Sequence, residues 1–254
     1  MNENLIAVIY LGRKGAGPAY AYEMTKGLIN NGANVIVFIS EYIENIESWK
    51  KLDLTGLEII KTSKSTVGFV PNTIRFRIKD YARLKKKYKQ YKFSACYIPM
   101  GNVWDDFIVN CIGNPLKFYT LHDPISHSSD VNLKNSLIKA VGKALKIGVP
   151  KKKSDYVIIL SEQFKKYTSE RFRLPEEHVI VIPHGLFELY KEVDNGNEFE
   201  YDKTKINFLF WGRITSYKGL DILAEAYKKL KEENHNISLT IVGSGDFTPY
   251  EDMF

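Results

Sequence analysis

Long apolar runs are missing from this sequence, and so is any motif built on cysteine. No stretch approaches the roughly 20 continuous apolar residues that a bilayer-crossing helix needs. The opening residues, MNENLIAVIYLGRKG, have neither a basic start nor an apolar run closed by small residues, so no signal peptide is expected. The only cysteines, Cys96 and Cys111, form neither a metal-ligand nor a redox spacing, which points to reduced thiols and a cytoplasmic location. A large excess of one charge is absent too. The 36 Lys and Arg against 30 Asp and Glu leave +6, a mild bias toward phosphates, a membrane surface or nucleic acid. Low apolar content is not among the absences, and 44% hydrophobic residues exclude a disordered chain.

What is present is a recurrence of short β-rich runs. LIAVIY (5–10), NVIVFIS (34–40), SACYIPM (94–100), LKFYTLH (116–122), DYVIILS (155–161) and HVIVIPH (178–184) are apolar on both faces. Strands of that kind belong to parallel sheets covered by helices on either side. Between the first two, GPAYAYEMTKGLINNG sets Ala21, Met24, Leu28 and Ile29 on one helical stripe and closes at Gly32, a suitable helix C-cap. The alternation predicts a doubly wound α/β lobe over residues 1–185. A polar, acidic stretch with Asn-Gly turn signals predicts a linker over 186–203. The alternation then restarts with INFLFWG (206–212), GLDILAEAYKKLKEEN (219–234) and ISLTIVG (237–243), the first part of a second lobe over 204–254. About 50 residues with one helix do not cover both faces of a parallel sheet, so this lobe is expected to be incomplete.

Ligands of open α/β sheets bind beyond the carboxyl ends of the strands, where four stretches stand out. In YLGRKGAGPAYAYE, Gly12, Gly15 and Gly17 separate the first strand from the first helix, allowing backbone amides to approach a phosphate or simply making a turn. Tyr20 occupies the place where a dinucleotide fingerprint needs its third glycine. In FYTLHDPISH, His122 and Asp123 leave a strand together, either to contact a sugar or move a proton, or as a structural histidine beside a turn-capping acid. In FWGRITSYKGL, Arg213 and Lys218 stand at a strand exit and a helix start, the end of a helix dipole that disfavours cations. A bound diphosphate reverses that sign, and Gly219 with the amides after it adds donors, so an anion site is expected here. In IVGSGDF, Gly243 and Gly245 allow a further close approach one strand away.

Two basic stretches, 75–92 and 137–153, mix Lys and Arg with an apolar stripe. Each reads as a core-facing helix with a solvated basic side, or as a helix resting on anionic lipid. Neither belongs to a recognised nucleic-acid module, and no nucleic acid is expected as partner.

Taken in order, these motifs name a family. Gly212-Arg213 followed by Lys218-Gly219 resembles the phosphate-binding motif of family 4 glycosyltransferases of the GT-B fold, two Rossmann-like lobes facing across a cleft. The first glycine-rich loop, His122-Asp123, VIVIPHG and VGSG are similar to the family's successive acceptor- and donor-lobe loops, so the resemblance covers the whole chain. It implies a hexosyltransferase-type enzyme that moves a sugar from a nucleotide-sugar to a saccharide or lipid-linked acceptor in polysaccharide or glycolipid synthesis. It further implies retention at the anomeric carbon, no metal and no cofactor. Carried over, Arg213, Lys218 and Gly219 hold the diphosphate, Gly17 lies close to it, and His122 is catalytic at the donor sugar. Asp123, Gly15, Gly243 and Gly245 become possible sugar or acceptor contacts. The family's closely spaced donor-lobe glutamates have no counterpart, because Glu251 follows VGSGDFTPY too soon. The chain is therefore expected to be truncated within its donor lobe. Two alternatives stand beside this reading: an inactive sugar-nucleotide-binding remnant, and an NAD-type oxidoreductase using the first loop and Glu41, which leaves Arg213 and Lys218 unexplained.

Overall fold

Apolar runs too short for helices and flanked by glycine or proline pair side by side in the computed structural model, which describes residues 4–64, 66–125, 154–189, 201–233 and 235–253. Seven strands, β1 (Leu5–Tyr10), β2 (Asn34–Ser40), β3 (Gly56–Ile60), β4 (Ala95–Ile98), β5 (Leu116–Leu121), β6 (Tyr156–Ile159) and β7 (Val179–Val181), form one sheet. Its order is β3-β2-β1-β4-β5-β6-β7, and every pairing is parallel. Chain direction across the sheet reverses between β1 and β4, which places the switch point beside the glycine-rich loop. Strand pleating sends Ala7, Ile9, Phe38 and Ile98 to one core with Phe76 and Leu84, and Val8, Tyr10, Val37 and Ile39 to a second with Tyr22 and Trp49.

The helices around this sheet are α1 (Ala16–Asn30), α2 (Ile46–Lys51), α3 (Thr66–Arg75), α4 (Tyr81–Tyr88), α5 (Asp105–Val109) and α6 (Lys165–Phe172). A π turn, Phe76–Asp80, joins α3 to α4. α1 closes as its sequence indicates: Gly32 takes φ 80° and the Ala33 amide donates back to Leu28 O at 3.1 Å. Two strands are shorter than their apolar runs, and proline is the reason. Pro99 and Pro183 have no N–H to continue a ladder, so β4 stops at Ile98 and β7 at Val181. β3 is an addition to the expected set. It is an edge strand whose inward Glu58 breaks the apolar pattern. The basic stretch 75–92 is helical through Tyr88, whereas 137–153 lies outside the described residues.

This first compact unit runs from Met1 to Val193. Residues 186–189, read from sequence as linker, pack within it: the Leu189 amide donates to Glu23 Oε1 at 2.7 Å, and Glu188 pairs with Lys26 at 3.3 Å. The second unit, Asp194–Phe254, contains the parallel pair β8 (Ile206–Trp211) and β9 (Ile237–Val242), joined through α7 (Leu220–Glu232). Among its described residues the buried apolar ones are Leu220, Ala224 and Ile237. Phe208 and Phe210 share the sheet face of Ile237, while on the opposite face Leu209 and Trp211 are 67% and 80% exposed.

Candidate functional site

Three chain exits at the carboxyl edge of the first sheet come together around His122. The loop after β1 is shaped by Tyr10, which is buried and turned beneath it. A Cβ on Gly12 or Gly17 would overlap the Tyr10 hydroxyl, and on Gly17 it would also come within 3.2 Å of Met100 Sδ. Gly15 is a glycine for another reason, its φ of 88° with open space around it. It stands at the N-cap of α1, where no side chain caps the helix and no acid lies in the first turn. Pro18 has no N–H, so the donors of that turn left without a side-chain cap are the amides of exposed Ala16 and buried Gly17.

His122 leaves β5 half-buried, and its Nε2 lies 2.9 Å from Pro99 O at the end of β4. A carbonyl only accepts, so Nε2 carries the proton and Nδ1 is the acceptor of the neutral ring, with no hydrogen-bond partner among the described residues. The edge of the Tyr20 ring meets the imidazole at 4.6 Å between centroids, and His184, beyond β7, lies 5.7 Å from His122 and 5.2 Å from Tyr20. Tyr20 is held from below: the Tyr97 hydroxyl reaches the Tyr20 hydroxyl at 3.4 Å and Thr120 Oγ1 at 3.0 Å. Burial lowers the His122 pKa, the Pro99 hydrogen bond raises it, His184 lowers it and Asp123 raises it, with a net downward shift. Asp123 itself is exposed.

The loop that carries Pro99 is pinned as well. The Asn102 amide donates to Asp105 Oδ2, and the Trp104 amide donates to Asn102 Oδ1 at 3.1 Å. Asp105 is fully buried, which pushes its carboxyl well above the usual carboxylate range. Tyr20 and His184 are site neighbours that reading the sequence did not select. The one available signal was their position: Tyr20 on the helix just after the first glycine-rich loop and His184 shortly after an apolar strand. Glu41 follows β2 with its Oε1 buried and without a hydrogen bond, and its carboxylate raises the pKa of the neighbouring Tyr42.

The second unit gathers the other group of motifs at the carboxyl ends of β8 and β9. The Gly212 amide donates to Val242 O and the Ile214 amide to Ser244 O, both at 3.0 Å, and Ile214 bridges Gly245 in parallel. A Cβ on Gly243 would overlap the Gly212 carbonyl, and one on Gly245 the Ile214 carbonyl. These glycines therefore let the two loops zip together and fix the backbone on both sides of Arg213. Gly219 takes φ 69° as the N-cap of α7 and provides no side-chain cap. Lys218 ends the 3-10 turn Ser216–Lys218 just before it, its ammonium 5.3 Å from the Tyr217 ring centre. Arg213 and Lys218 are exposed, and among the described residues neither has a carboxylate partner. Between them, Thr215 Oγ1 is buried without a hydrogen bond, a third polar group that sequence reading passed over.

Glycosyltransferase Family 4 matches residues 18–186, and Glycosyl transferases group 1 matches residues 194–253. The chain belongs to glycosyltransferase family 4. An uncharacterized glycosyltransferase of Methanocaldococcus jannaschii is 34% identical over 116 residues, 38% of this chain and 27% of that protein. The lipopolysaccharide 1,2-N-acetylglucosaminetransferase of Salmonella typhimurium is 34% identical over 94 residues, 35% of this chain and 24% of that protein. The match thus spans about a quarter of the length of these relatives. Among solved structures, Anabaena HepE in complex with UDP and glucose has a TM-score of 0.54 at 14% identity, over 98% of this chain and 63% of that one. S. aureus TarM, in complex with fondaparinux, alpha-GlcNAc-glycerol and UDP, has a TM-score of 0.53 at 12% identity, over 98% and 74%. The UDP-GlcNAc 2-epimerase of Methanocaldococcus jannaschii has 0.53 at 10%, over 94% and 65%. These likenesses establish an α/β fold of GT-B type, and the epimerase among them illustrates that this fold serves more than one reaction. Both matched family models are of glycosyltransferases, which leaves the oxidoreductase alternative without support.

Proposed function

We propose that this protein transfers a sugar from a nucleoside diphosphate sugar to a saccharide or lipid-linked acceptor, with retention at the anomeric carbon and without a metal ion or cofactor. The observation that carries the reading is the zipped Gly212–Ile214 loop, which fixes the backbone on both sides of Arg213, while α7 starts without a side-chain cap, Asp221 being the acid of its first turn, and neither Arg213 nor Lys218 has an ion-pair partner among the described residues. In the transfer, the bond from the anomeric carbon to the diphosphate oxygen breaks and its electron pair leaves with the diphosphate. The acceptor hydroxyl forms the new bond and gives up its proton. Charge grows on the leaving diphosphate, where a guanidinium fork, an ammonium and helix amides stabilise it in the role a metal plays elsewhere. His122 serves the sugar: its Nδ1 accepts from a hydroxyl while Nε2 stays on Pro99 O. Gly15 and Gly17 offer backbone near the ligand, and Asp123, Gly243 and Gly245 are further contacts.

UDP is the probe for this reading because HepE and TarM hold it in their solved complexes. Calorimetry of UDP on the 254-residue chain is expected to show Arg213→Ala and Lys218→Ala each weakening binding by about 1.5–3 kcal/mol, the range of charge-assisted hydrogen bonds. Unchanged affinity in both variants would remove the diphosphate site. The name of the Salmonella relative supports a polysaccharide or glycolipid acceptor, and hence work at the cytoplasmic face of a membrane. No helix among the described residues is long and apolar enough to cross that membrane, so contact with it is proposed as peripheral.

A further inference from the structure

One helical run apart from His122 carries a two-part outer surface. α3, the π turn and α4 continue without a break from Thr66 to Tyr88. Thr73, Phe76, Leu84 and Tyr88 are buried on the inner side. Val70, Ile74 and Ile78 recur every fourth residue on the outside and are exposed at 40%, 44% and 67%. The extra residue that a π turn accommodates keeps Phe76 in the core while Ile78 stands in solvent. Beyond Ile78 the same side turns basic, with Lys79, Lys85, Lys86 and Lys89 all exposed.

Not every cation of the run is available. Arg83 and Lys87 are each committed to Glu58 at 2.6 Å, and Lys85 lies over the Tyr81 ring. Lys79, Lys86 and Lys89 have no ion-pair partner among the described residues. The run begins after the carboxyl end of β3, the outermost strand of the sheet, so its apolar half comes first and its basic half follows.

Aliphatic side chains beside unpaired lysines match the boundary of an anionic bilayer, where acyl chains lie next to charged headgroups. A nucleic acid would use the lysines and leave Ile74 and Ile78 without a role. A second copy of the same face would set lysines against lysines. We propose that the outer face of this helical run, carried by Val70, Ile74, Ile78, Lys79, Lys86 and Lys89, docks the protein on an anionic lipid bilayer. The proposal deepens the lipid-linked acceptor reading above, on which its purpose rests, by naming the surface that meets the membrane.

Co-sedimentation of the 254-residue chain with vesicles tests it, comparing pure phosphatidylcholine with phosphatidylcholine containing about one third phosphatidylglycerol. Binding is expected only to the anionic vesicles and should fall with added salt. Ile78→Glu, and separately Lys79→Glu combined with Lys86→Glu, should each cut partitioning by about tenfold. Lys229→Glu, a control on α7, should leave it unchanged. Unfolding melts of each variant guard against a trivial loss, and Ile78→Ser offers a milder removal of the apolar contact. Equal binding by Ile78→Glu and wild type would overturn the proposal. So would a short DNA duplex whose binding depends on Lys79 and Lys86 but ignores Ile78, since that pattern marks a nucleic-acid face. UDP calorimetry on the same variants separates the two readings. Lost vesicle binding with UDP affinity intact concerns this face, whereas absent UDP binding in wild type concerns the glycosyltransferase reading alone.

Discussion

His122 is fixed by three neighbours that differ in what they constrain. Pro99 O sets the tautomer, the Tyr20 ring edge sets the tilt of the imidazole, and burial sets its charge. Because the pKa is lowered from its ordinary 6.5, the neutral ring persists at pH 7 and for some distance below it. Acid then acts in two ways with one sign. The unfolded chain takes up this proton first, so the stability the neutral buried ring contributes above the ordinary pKa is lost as pH falls through the folded value. Transfer that depends on a free Nδ1 is lost over the same interval. The acid limb of the pH–rate profile is therefore expected below pH 6.5, and Asp123→Asn should move it lower still by removing an anion that favours the charged ring. A limb at or above 6.5, or one unmoved by Asp123→Asn, would contradict this assignment. His122→Ala should lower turnover far more than UDP affinity if, as proposed, its contact is with the reacting sugar rather than the diphosphate. His122 itself was legible from its place at the end of an apolar strand. Tyr20 and His184 were not, because they lie far away in sequence and only the strand order brings their rings to it.

At the scale of elements, the β1–α1 connection shows why a glycine pattern alone underdetermines its purpose. Gly15 needs its positive φ, whereas Gly12 and Gly17 make room for a buried tyrosine. Gly17→Ala should destabilise the first unit by about 1–3 kcal/mol, as overpacking does. Its clash is chiefly with the Tyr10 hydroxyl, with Cζ at 3.2 Å, so Tyr10→Phe should recover part of the loss. At Gly12 a Cβ also meets Cζ at 2.5 Å, so the same tyrosine change should rescue Gly12→Ala little. Denaturant unfolding of the two double-mutant cycles measures this difference, and equal rescue would refute the packing account. The strands themselves were readable where both faces are apolar. β3 was not, because Glu58 turns into the protein at 7% side-chain exposure, against Arg83, Lys87 and the Tyr88 hydroxyl. Burial alone would raise its pKa, but Lys87 and Arg83 outweigh that and hold it below the usual value. A buried acid that finds its partners only in the tertiary structure looks like a loop residue in sequence.

For the molecule as a whole, the alternation of strand and helix was legible at both ends of the chain, but the two units differ in what that alternation encloses. The first has apolar clusters on both faces of a seven-stranded sheet, with Val8, Ile9, Phe38 and Ile159 fully buried. In the second, Ile206, Phe208, Leu209 and Trp211 of β8 are all exposed, and the described apolar burial is limited to Leu220, Ala224 and Ile237. Local stability follows buried apolar area and the shielding of backbone hydrogen bonds, so opening should be far easier in the second unit. Hydrogen exchange on the 254-residue chain is expected to show strong protection through β1, β2, β4, β5 and β6. Amides of β8 and β9 should exchange orders of magnitude faster, although their ladder is complete over six register pairs. Saturating UDP should slow exchange around Gly212–Gly219 by mass action, since a ligand held there stabilises the conformation that binds it. Equal protection in both units without ligand would mean that the exposed faces of β8 and β9 are covered in solution, and the argument from burial would fail for that half of the protein.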